Sequence, residues 1–285
     1  MSATESHWDL REKIIELCLW MNSSGLNQGT SGNISARYKN SMLITPSGVP
    51  YEQLKRGDIA KMSLKHNRYE WEGPYAPSSE WHFHRAILQS NPDFKAIVHT
   101  HSTYATVLSM ACKTIPACHY MIGAFGGNTV RCSNYATFGT PELSTNILTA
   151  MQDRTACLME NHGMVVAGPN LDKAMWGAVE LETLSKQYYL ASKLEDMKVL
   201  PDDEMDRVIA KFANYGPRDK NSGAGKTNGQ GHGNSDDSPG LQNDKSHSSG
   251  ANGDQQQNQP GDSVHPNSPI KNIPNIKLPT TGSGS

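Results

Sequence analysis

Residues 96–101 read Ala96-Ile97-Val98-His99-Thr100-His101, an apolar run that ends in two histidines spaced two positions apart. A β-branched apolar run of this kind predicts a buried strand. Side chains alternate between the two faces of a strand, so both imidazoles are expected on the same side, about 6.5 Å apart along the chain. On a helix the same spacing would place them on nearly opposite faces. The run therefore predicts a strand end at which two histidines hold one metal ion, or else a pair of hydrogen-bonded histidines.

Two further positions favour the metal site. His162 follows the apolar run 156–159 and precedes a glycine, at which the backbone can turn tightly. Glu80 follows Ser78 and Ser79, which are typical of helix N-caps, and precedes a helical pattern. Three histidines and a carboxylate at the ends of different elements fit a zinc site with three protein ligands, an open position and an adjacent acid/base group.

Composition excludes several classes of function. The chain of 285 residues has 26 Lys and Arg against 28 Asp and Glu, a net charge of −2, so nothing indicates binding to nucleic acid or to an anionic membrane. No run approaches the roughly 20 apolar residues of a membrane span. The start lacks the pattern of a secretory signal. The five cysteines form no CxxC pair, which is typical of reduced thiols. We expect a soluble cytoplasmic protein.

The chain divides into two parts of different composition. Residues 221–285 contain no Phe, Trp or Tyr and consist mainly of Gly, Ser, Asn, Asp, Gln and Pro. Such a segment cannot bury enough apolar surface to offset its ordering entropy. We therefore expect one catalytic domain at 1–218 and a disordered low-complexity tail at 219–285.

Hydrophobic periodicity predicts an α/β domain. Helices are predicted at 7–24, 80–91, 102–112, 141–151, 171–197 and 202–214. Strands are predicted at 33–38, 42–45, 58–64, 67–71, 95–100, 129–132, 155–160 and 163–167. The last two strands are too close together for a helical crossover and should pair antiparallel. The expected fold is a single domain with a mixed, largely antiparallel sheet flanked by helices, rather than a regular βαβ succession.

Three segments could bind a phosphate without a lysine. Residues 29–33, 45–48 and 78–79 offer small hydroxyls and exposed backbone N–H groups, and clusters of such donors bind phosphate. Composition alone also allows three ordinary loops. His82 and His84, two apart on a helix, are expected to be surface or packing residues.

These motifs, in this order and spacing, resemble the class II aldolase/adducin-head superfamily. The resemblance covers about residues 8–218 and rests on LNQGTSGN at 26–33, LITPSG at 43–48, PSSEW at 77–81, VHTH at 98–101, HYMI at 119–122, YATFGT at 135–140, NHG at 161–163 and YG at 215–216. The segments SSEW and YATFGT favour the aldolase branch over the ribulose-phosphate 4-epimerase branch.

The resemblance implies a role for each matched residue. Zinc would be bound by His99, His101 and His162, and Glu80 would be the acid/base, with possible contact to the resting metal. The residues implied for the substrate phosphate are Thr30, Gly32, Asn33, Ser47, Gly48, Ser78 and Ser79. Phe138 would line the aldehyde pocket, and Tyr215 would close the site. Tyr120 would come from a neighbouring subunit as a proton donor, which implies a homotetramer with sites between subunits.

The implied activity is reversible cleavage of L-fuculose 1-phosphate, or a closely related ketose 1-phosphate, to dihydroxyacetone phosphate and L-lactaldehyde. One alternative is a zinc-dependent dehydratase or 4-epimerase of a pentulose phosphate with the same metal ligands. The other is a non-catalytic module like the adducin head. That reading predicts loss of the ligand set, whereas all three histidines and Glu80 are present.

Overall fold

The computed structural model describes residues 6–66 and 68–213. Within them, eight strands form one sheet: β1 (Asn33–Tyr38), β2 (Ser41–Ile44), β3 (Ala60–Ser63), β4 (Trp71–Glu72), β5 (Ala96–Thr100), β6 (Cys132–Ser133), β7 (Ala156–Met159) and β8 (Gly163–Gly168). Their order across the sheet is β4-β3-β2-β1-β5-β8-β7-β6. Only β6 and β7 pair in parallel, and all other neighbours are antiparallel. The prediction of a mixed, largely antiparallel sheet is confirmed.

Helices flank both faces of this sheet. They are α1 (His7–Ser23), α2 (Trp81–Ser90), α3 (Thr103–Met110), α4 (Pro141–Ala150), α5 (Leu171–Ala191) and α6 (Asp202–Ala213). Helix α1 begins at a capping box, in which the backbone N–H of Asp9 donates to Ser6 Oγ and the Asp9 carboxylate accepts from the Ser6 backbone. Across the described residues, none of these helices combines the length and the apolar character needed to cross a membrane.

Alternation along the central strands divides the core into two clusters. Even-numbered residues of β5, such as Val98, pack with α1, α3 and α5, whereas the odd-numbered Ile97 packs with α2 and α4. In β1, Ile34 belongs to the first cluster, while the odd-numbered Asn33 and Ser35 face α2. This alternation turns polar side chains of β1 toward the beginning of α2.

Three boundaries differ from the sequence prediction by three or more residues. The strand expected at 67–71 is only Trp71–Glu72, an exposed edge strand with a single neighbour. The strand expected at 129–132 begins at Cys132, because Val130 forms only an isolated bridge. Helix α5 ends at Ala191 rather than 197, since the residues that follow it are exposed and have no apolar face to bury.

Antiparallel pairing brings the site-bearing segments to one end of the sheet. Asn33, at the start of β1, pairs with His99 near the end of β5, and Thr100 pairs with Met164 at the start of β8. The turn between β7 and β8, which carries His162, lies at the same end. The predicted boundary at residue 218, the predicted disorder of 219–285 and the position of Tyr215 all lie outside the described residues.

Candidate active site

His99 is a fully buried side chain near the end of β5. Its Nδ1 lies 2.8 Å from the carbonyl oxygen of Met164. A carbonyl can only accept, so this nitrogen carries the proton and Nε2 presents a lone pair. The sheet itself therefore fixes the tautomer that a metal ligand needs.

His101 lies just beyond β5, where the chain leaves the sheet. Its backbone N–H donates to Asn27 Oδ1 at 3.2 Å, so the loop before β1 holds this position. Gly32, in the same loop, lets the loop backbone come close to β5, because a Cβ at residue 32 would lie only 2.7 Å from the carbonyl oxygen of His99. Its own carbonyl accepts a hydrogen bond from the Tyr51 hydroxyl.

His162 occupies the tight turn between β7 and β8. Asn161 has a positive φ of 52° there. A Cβ at Gly163 would lie 2.5 Å from the carbonyl oxygen of Thr100. Only glycine allows the backbone of this turn to come so close to β5, so the motif Asn161-His162-Gly163 brings the His162 imidazole beside the end of β5.

The three imidazoles converge as metal ligands would. Nε2 of His99 lies 3.1 Å from Nε2 of His101, and one ligand atom from each histidine lies within 4.8 Å of the others. Tetrahedral zinc with imidazole ligands requires N···N separations of roughly 3.3 Å. Burial, together with the charges of His99 and His162, lowers the pKa of His101 to about 3, so it is neutral near pH 7. The donor set fits a metal ion of the zinc type.

Glu80 completes this group. It occupies the N-cap position of α2, where Ser78 or Ser79 was expected, and its side chain makes no capping hydrogen bond. The Glu80 backbone N–H instead donates to Ser78 Oγ at 3.3 Å. The carboxylate is therefore free to turn into the site, where Oε2 lies 3.2 Å from His99 Nε2 and Oε1 lies 3.0 Å from His162 Nε2.

The Glu80 carboxyl is held in its ionised form. Burial alone would raise its pKa, but the charges of His99 and His162, whose Nε2 atoms lie 3.2 and 3.0 Å from the two carboxylate oxygens, outweigh burial and lower the pKa below its ordinary value. Asn33 Nδ2 also donates to Oε2 at 2.8 Å. Of the two oxygens, Oε1 is buried and has no aligned hydrogen bond within the described residues.

Two side chains in this network were not predicted from the sequence to act there. His84 Nε2 lies 2.5 Å from Asn33 Oδ1, and His84 Nδ1 lies 2.7 Å from Ser35 Oγ. The expectation that His84 is a packing residue is correct for its burial but misses these contacts. The signal was present in the spacing, since residues 80 and 84 share one helix face and residues 33 and 35 share one strand face.

A cleft of about 340 Å³ opens beside the histidines. Its lining consists of Thr30, Ser31, Ser79, Glu80, His101, Tyr135, Ala136, Phe138, Asn161 and His162. The structure thus brings the predicted residues Thr30, Ser79 and Phe138 to the same cleft as Glu80 and two of the histidines. Gly139 assists, because its φ of +76° and the nearby carbonyl oxygen of Ser79 leave no room for a Cβ.

The other residues expected at the phosphate lie on adjoining segments. Pro46 and Pro77 form an isolated bridge, and the Ser78 N–H donates to the carbonyl oxygen of Thr45 at 2.9 Å. Ser47 and Gly48 are exposed and Ser78 is buried. Asn33 and Gly32 are buried, and both polar ends of the Asn33 amide already have partners. Contact of these residues with a phosphate stays a prediction.

Tyr120 lies in a 3-10 helix, Tyr120–Phe125, away from the cleft of its own chain. Its ring stacks on Phe212 of α6 with centroids 6.4 Å apart, and 49% of its surface is exposed. In this chain alone, Tyr120 is not among the described residues that line the cleft.

Comparison with known proteins agrees with this geometry. The family described as "Class II Aldolase and Adducin N-terminal domain" matches residues 12–189. The L-fuculose phosphate aldolase of Escherichia coli K12 is 46% identical over 210 residues, covering 73% of this chain and 96% of that protein. The 5-methylthioribulose-1-phosphate/5-deoxyribulose-1-phosphate aldolase of Rhodospirillum rubrum is 45% identical over 207 residues, covering 73% and 92%.

A solved structure shows the same fold. A structure of L-fuculose 1-phosphate aldolase superposes with a TM-score of 0.69 at 38% identity, covering 75% of this chain and 98% of that one. The chain therefore belongs to the Class II Aldolase and Adducin N-terminal domain family, and it is an aldolase of the lyase class.

Proposed function

We propose that this aldolase uses zinc and reversibly cleaves L-fuculose 1-phosphate, or a closely related ketose 1-phosphate, to dihydroxyacetone phosphate and L-lactaldehyde. The observation that carries the proposal is the convergence of His99, His101 and His162 beside an ionised Glu80. The relative from E. coli, whose name states this substrate, supports the choice of sugar.

Glu80 moves the proton in the proposed reaction. Zinc, when bound by the three histidines, would supply a Lewis acid that stabilises negative charge on the substrate oxygens. In the cleavage direction the C4 hydroxyl loses its proton as the aldehyde forms, the C3–C4 bond breaks, and the electron pair of that bond forms the enediolate of dihydroxyacetone phosphate. Tyr120 of a neighbouring subunit, which we propose donates this hydroxyl proton in the synthetic direction, would accept it in cleavage. Glu80 then gives a proton to C3, and in the synthetic direction it removes the same proton.

Backbone and hydroxyl donors would hold the phosphate. Thr30 and Ser79 line the cleft from two different loops, and the paired segments 45–48 and 76–79 continue this donor-rich surface. We propose that Ser47, Gly48, Ser78, Gly32 and Asn33 contribute to the same pocket. Clusters of small hydroxyls and backbone N–H groups bind phosphate without a lysine.

The end of the pocket that would hold the aldehyde does not select strongly for one sugar, so a second substrate is considered. Phe138 and Tyr135 line it, and apolar contacts of this kind discriminate by only about 1–3 kcal/mol for a methyl-sized change. The relative from R. rubrum has nearly the same identity and carries a different substrate in its name. A 5-deoxyribulose or 5-methylthioribulose 1-phosphate is therefore the second candidate.

A coupled assay for dihydroxyacetone phosphate across ketose 1-phosphates tests the proposal. L-Fuculose 1-phosphate should be cleaved faster than L-rhamnulose 1-phosphate, because hydroxyl placement must match the geometry of the enediolate. Faster cleavage of 5-methylthioribulose 1-phosphate would keep the aldol chemistry and change the sugar. Release of no dihydroxyacetone phosphate from any of these sugars would contradict the proposal.

Metal analysis tests the proposed cofactor. We expect about one zinc per chain. His99→Ala should lose both the metal and the activity, because it removes the ligand whose tautomer the sheet fixes. Substitution of His82, which lies outside the described cluster, should change neither. Full activity in metal-free protein would rule out zinc as the cofactor.

A further inference from the structure

A chain of buried hydrogen bonds extends from Glu80 into the layer between β1 and α2. Asn33 Nδ2 contacts Glu80 Oε2 at 2.8 Å, His84 Nε2 contacts Asn33 Oδ1 at 2.5 Å, and Ser35 Oγ contacts His84 Nδ1 at 2.7 Å. None of these four residues is more than 5% exposed. Buried polar groups cost stability unless they are satisfied, and Glu80 Oε2, Asn33, His84 and Ser35 Oγ each have a partner here.

The secondary structure explains how the four side chains meet. Glu80 and His84 lie four positions apart at the start of α2 and share one helix face. Asn33 and Ser35 lie two positions apart in β1 and share the strand face that packs on α2. The helix residues alternate with the strand residues, so the order of contact is Glu80, Asn33, His84, Ser35.

The chemistry of the four side chains determines which atom donates and which accepts in each of these hydrogen bonds. An ionised Glu80 only accepts, so Asn33 must present its NH₂ group to Oε2 and its carbonyl oxygen to His84. His84 must then carry its proton on Nε2, and Nδ1 accepts from the Ser35 hydroxyl. Burial, with the charge of His99, lowers the pKa of His84 to about 3, which agrees with a neutral ring. Every donor points toward the carboxylate.

This series of hydrogen bonds distinguishes the two carboxylate oxygens of Glu80. Oε2 accepts a hydrogen bond from Asn33, whereas Oε1 lies 3.0 Å from His162 Nε2 and accepts no aligned hydrogen bond within residues 6–66 and 68–213. An asparagine amide turned by half a rotation would place its carbonyl oxygen against Oε2, with two acceptors in contact. The N–H of His84 opposes that rotation because it needs an acceptor at the other end of the amide.

We propose that His84, supported by Ser35, is a positioning residue for the aldol reaction: through Asn33 it holds Glu80 Oε2 and leaves Oε1 to exchange the proton with C3 of the substrate. The inference rests on the proposed function, because Glu80 is taken as the group that transfers this proton. His84 itself touches neither the histidine ligands nor the cleft among the contacts described for it.

Exchange of the C3 proton of dihydroxyacetone phosphate with solvent deuterium isolates the step that Glu80 performs, without any aldehyde. His84→Leu should slow this exchange about 10-fold or more, while KM for dihydroxyacetone phosphate and the zinc content stay within about 3-fold of those of the parent. His84→Gln places an amide N–H near the position of Nε2 and should recover most of the rate.

Two matched controls separate positioning from a general loss of packing. His82→Leu removes a histidine that lies on the same helix but does not belong to the series of hydrogen bonds. Ser185→Ala removes a buried hydroxyl on α5. Neither should change the exchange rate. Ser35→Ala should slow it by about threefold, since it removes one buried hydrogen bond. Equal rates for Ser35→Ala and Ser185→Ala, at equal zinc content, would overturn the proposal even if His84→Leu does not fold.

The outcomes also separate this inference from the proposed function. If the zinc-loaded parent protein exchanges no C3 proton, the proposed function fails and the inference fails with it. If the parent exchanges the proton and His84→Leu exchanges it as fast as His82→Leu, only the inference is overturned.

Discussion

At the scale of single residues, the site depends on one carboxylate that the fold keeps charged in a buried place. Glu80 is 5% exposed, yet its pKa lies below the ordinary value, because the neighbouring histidines outweigh the effect of burial. A carboxylate of low pKa is a weak base in water. In the proposed reaction its competence would therefore depend on geometry and on the acidity that a bound metal would give to the substrate.

Replacing the carboxylate should separate chemistry from folding. Glu80→Gln keeps the size of the side chain but cannot take up the C3 proton, so turnover should fall by at least about 100-fold. Zinc must be quantified beside the rate, because Glu80 lies close to the ligand nitrogens. Glu72→Gln, which changes an exposed carboxylate paired with Lys61, is the matched control. A zinc-loaded Glu80→Gln protein with near-normal turnover would remove Glu80 from the mechanism.

His84 gives a prediction about acid stability. Burial first, and then the charge of His99, lowers its pKa from 6.5 to about 3 on folding. Between these values the unfolded chain binds a proton that the folded protein does not, so the free energy of unfolding decreases as the pH falls from 6.5 toward 3. One such group contributes at most about 1.4 kcal/mol per pH unit.

His84→Gln removes this titration, so its stability should fall less steeply with acid than that of the parent. Urea unfolding of both zinc-loaded proteins at pH 7.5 and pH 5 measures the difference. The absolute stabilities at pH 7.5 do not enter the comparison, which concerns the slopes alone. Parallel losses of stability in the two proteins would contradict a neutral, buried His84.

At the scale of elements, a residue of α5 caps the helix that follows His99 and His101, the proposed metal ligands. The N-cap of α3 is Ser102, directly after His101, and its side chain makes no capping hydrogen bond. Glu182 takes its place: Oε1 accepts from the Tyr104 N–H at 2.8 Å, and Oε2 accepts from the Ala105 N–H at 2.9 Å. The Ser102 hydroxyl donates to the same carboxylate at 2.7 Å.

Removing this cap should weaken both the helix and the site. Glu182→Ala leaves two N–H groups of α3 without acceptors, and we expect a loss of about 1–3 kcal/mol in the free energy of unfolding. Zinc affinity should fall as well, because α3 begins two residues after His101 and its first turn holds this proposed ligand in place. Glu16→Ala, which removes an exposed carboxylate, is the control. Equal melting temperatures for the two variants would show that the cap is unimportant.

Most of the elements could be predicted from the sequence because their signals are local. Periodicity and Ser6 define α1, and the β-branched run 96–98 defines β5. The spacing of His99 and His101 was enough to predict that their imidazoles lie close together, and their role as metal ligands stays a prediction. The N-cap of α2 could not be predicted, since Ser78 and Glu80 are both adjacent to the helix and only the folded site needs the carboxylate turned inward.

At the scale of the whole molecule, the unpredicted features are contacts between distant segments. The register that places Asn33 opposite His99 joins residues 66 positions apart, and Glu182 reaches α3 from 77 to 80 positions away. No local pattern reports such distances. The packing of the two core clusters determines these contacts, because each face of the sheet must pack against its own helices.

The position of Tyr120 carries the last prediction, which concerns assembly. It is half exposed and does not line the cleft of its own chain among the described residues, so it can serve as proton donor only if a neighbouring subunit brings it there. We propose a homotetramer with sites between subunits, in which each site combines Glu80 of one chain with Tyr120 of the next. Tyr120→Phe and Glu80→Gln proteins should each be nearly inactive.

Mixing the two variants should then restore activity. In randomly mixed tetramers, roughly a quarter of the sites combine an intact Glu80 with an intact Tyr120, so activity should recover toward roughly a quarter of that of the parent. Each variant mixed with itself is the control, and mass spectrometry of the intact assemblies verifies that subunits have exchanged. No recovery after verified exchange, or a fully active monomer, would contradict the shared site. Tyr69→Phe is the further control, because it changes another exposed tyrosine that does not line the cleft. Its mixture with Glu80→Gln should be active even if sites are not shared, because the Tyr69→Phe chains keep both Glu80 and Tyr120.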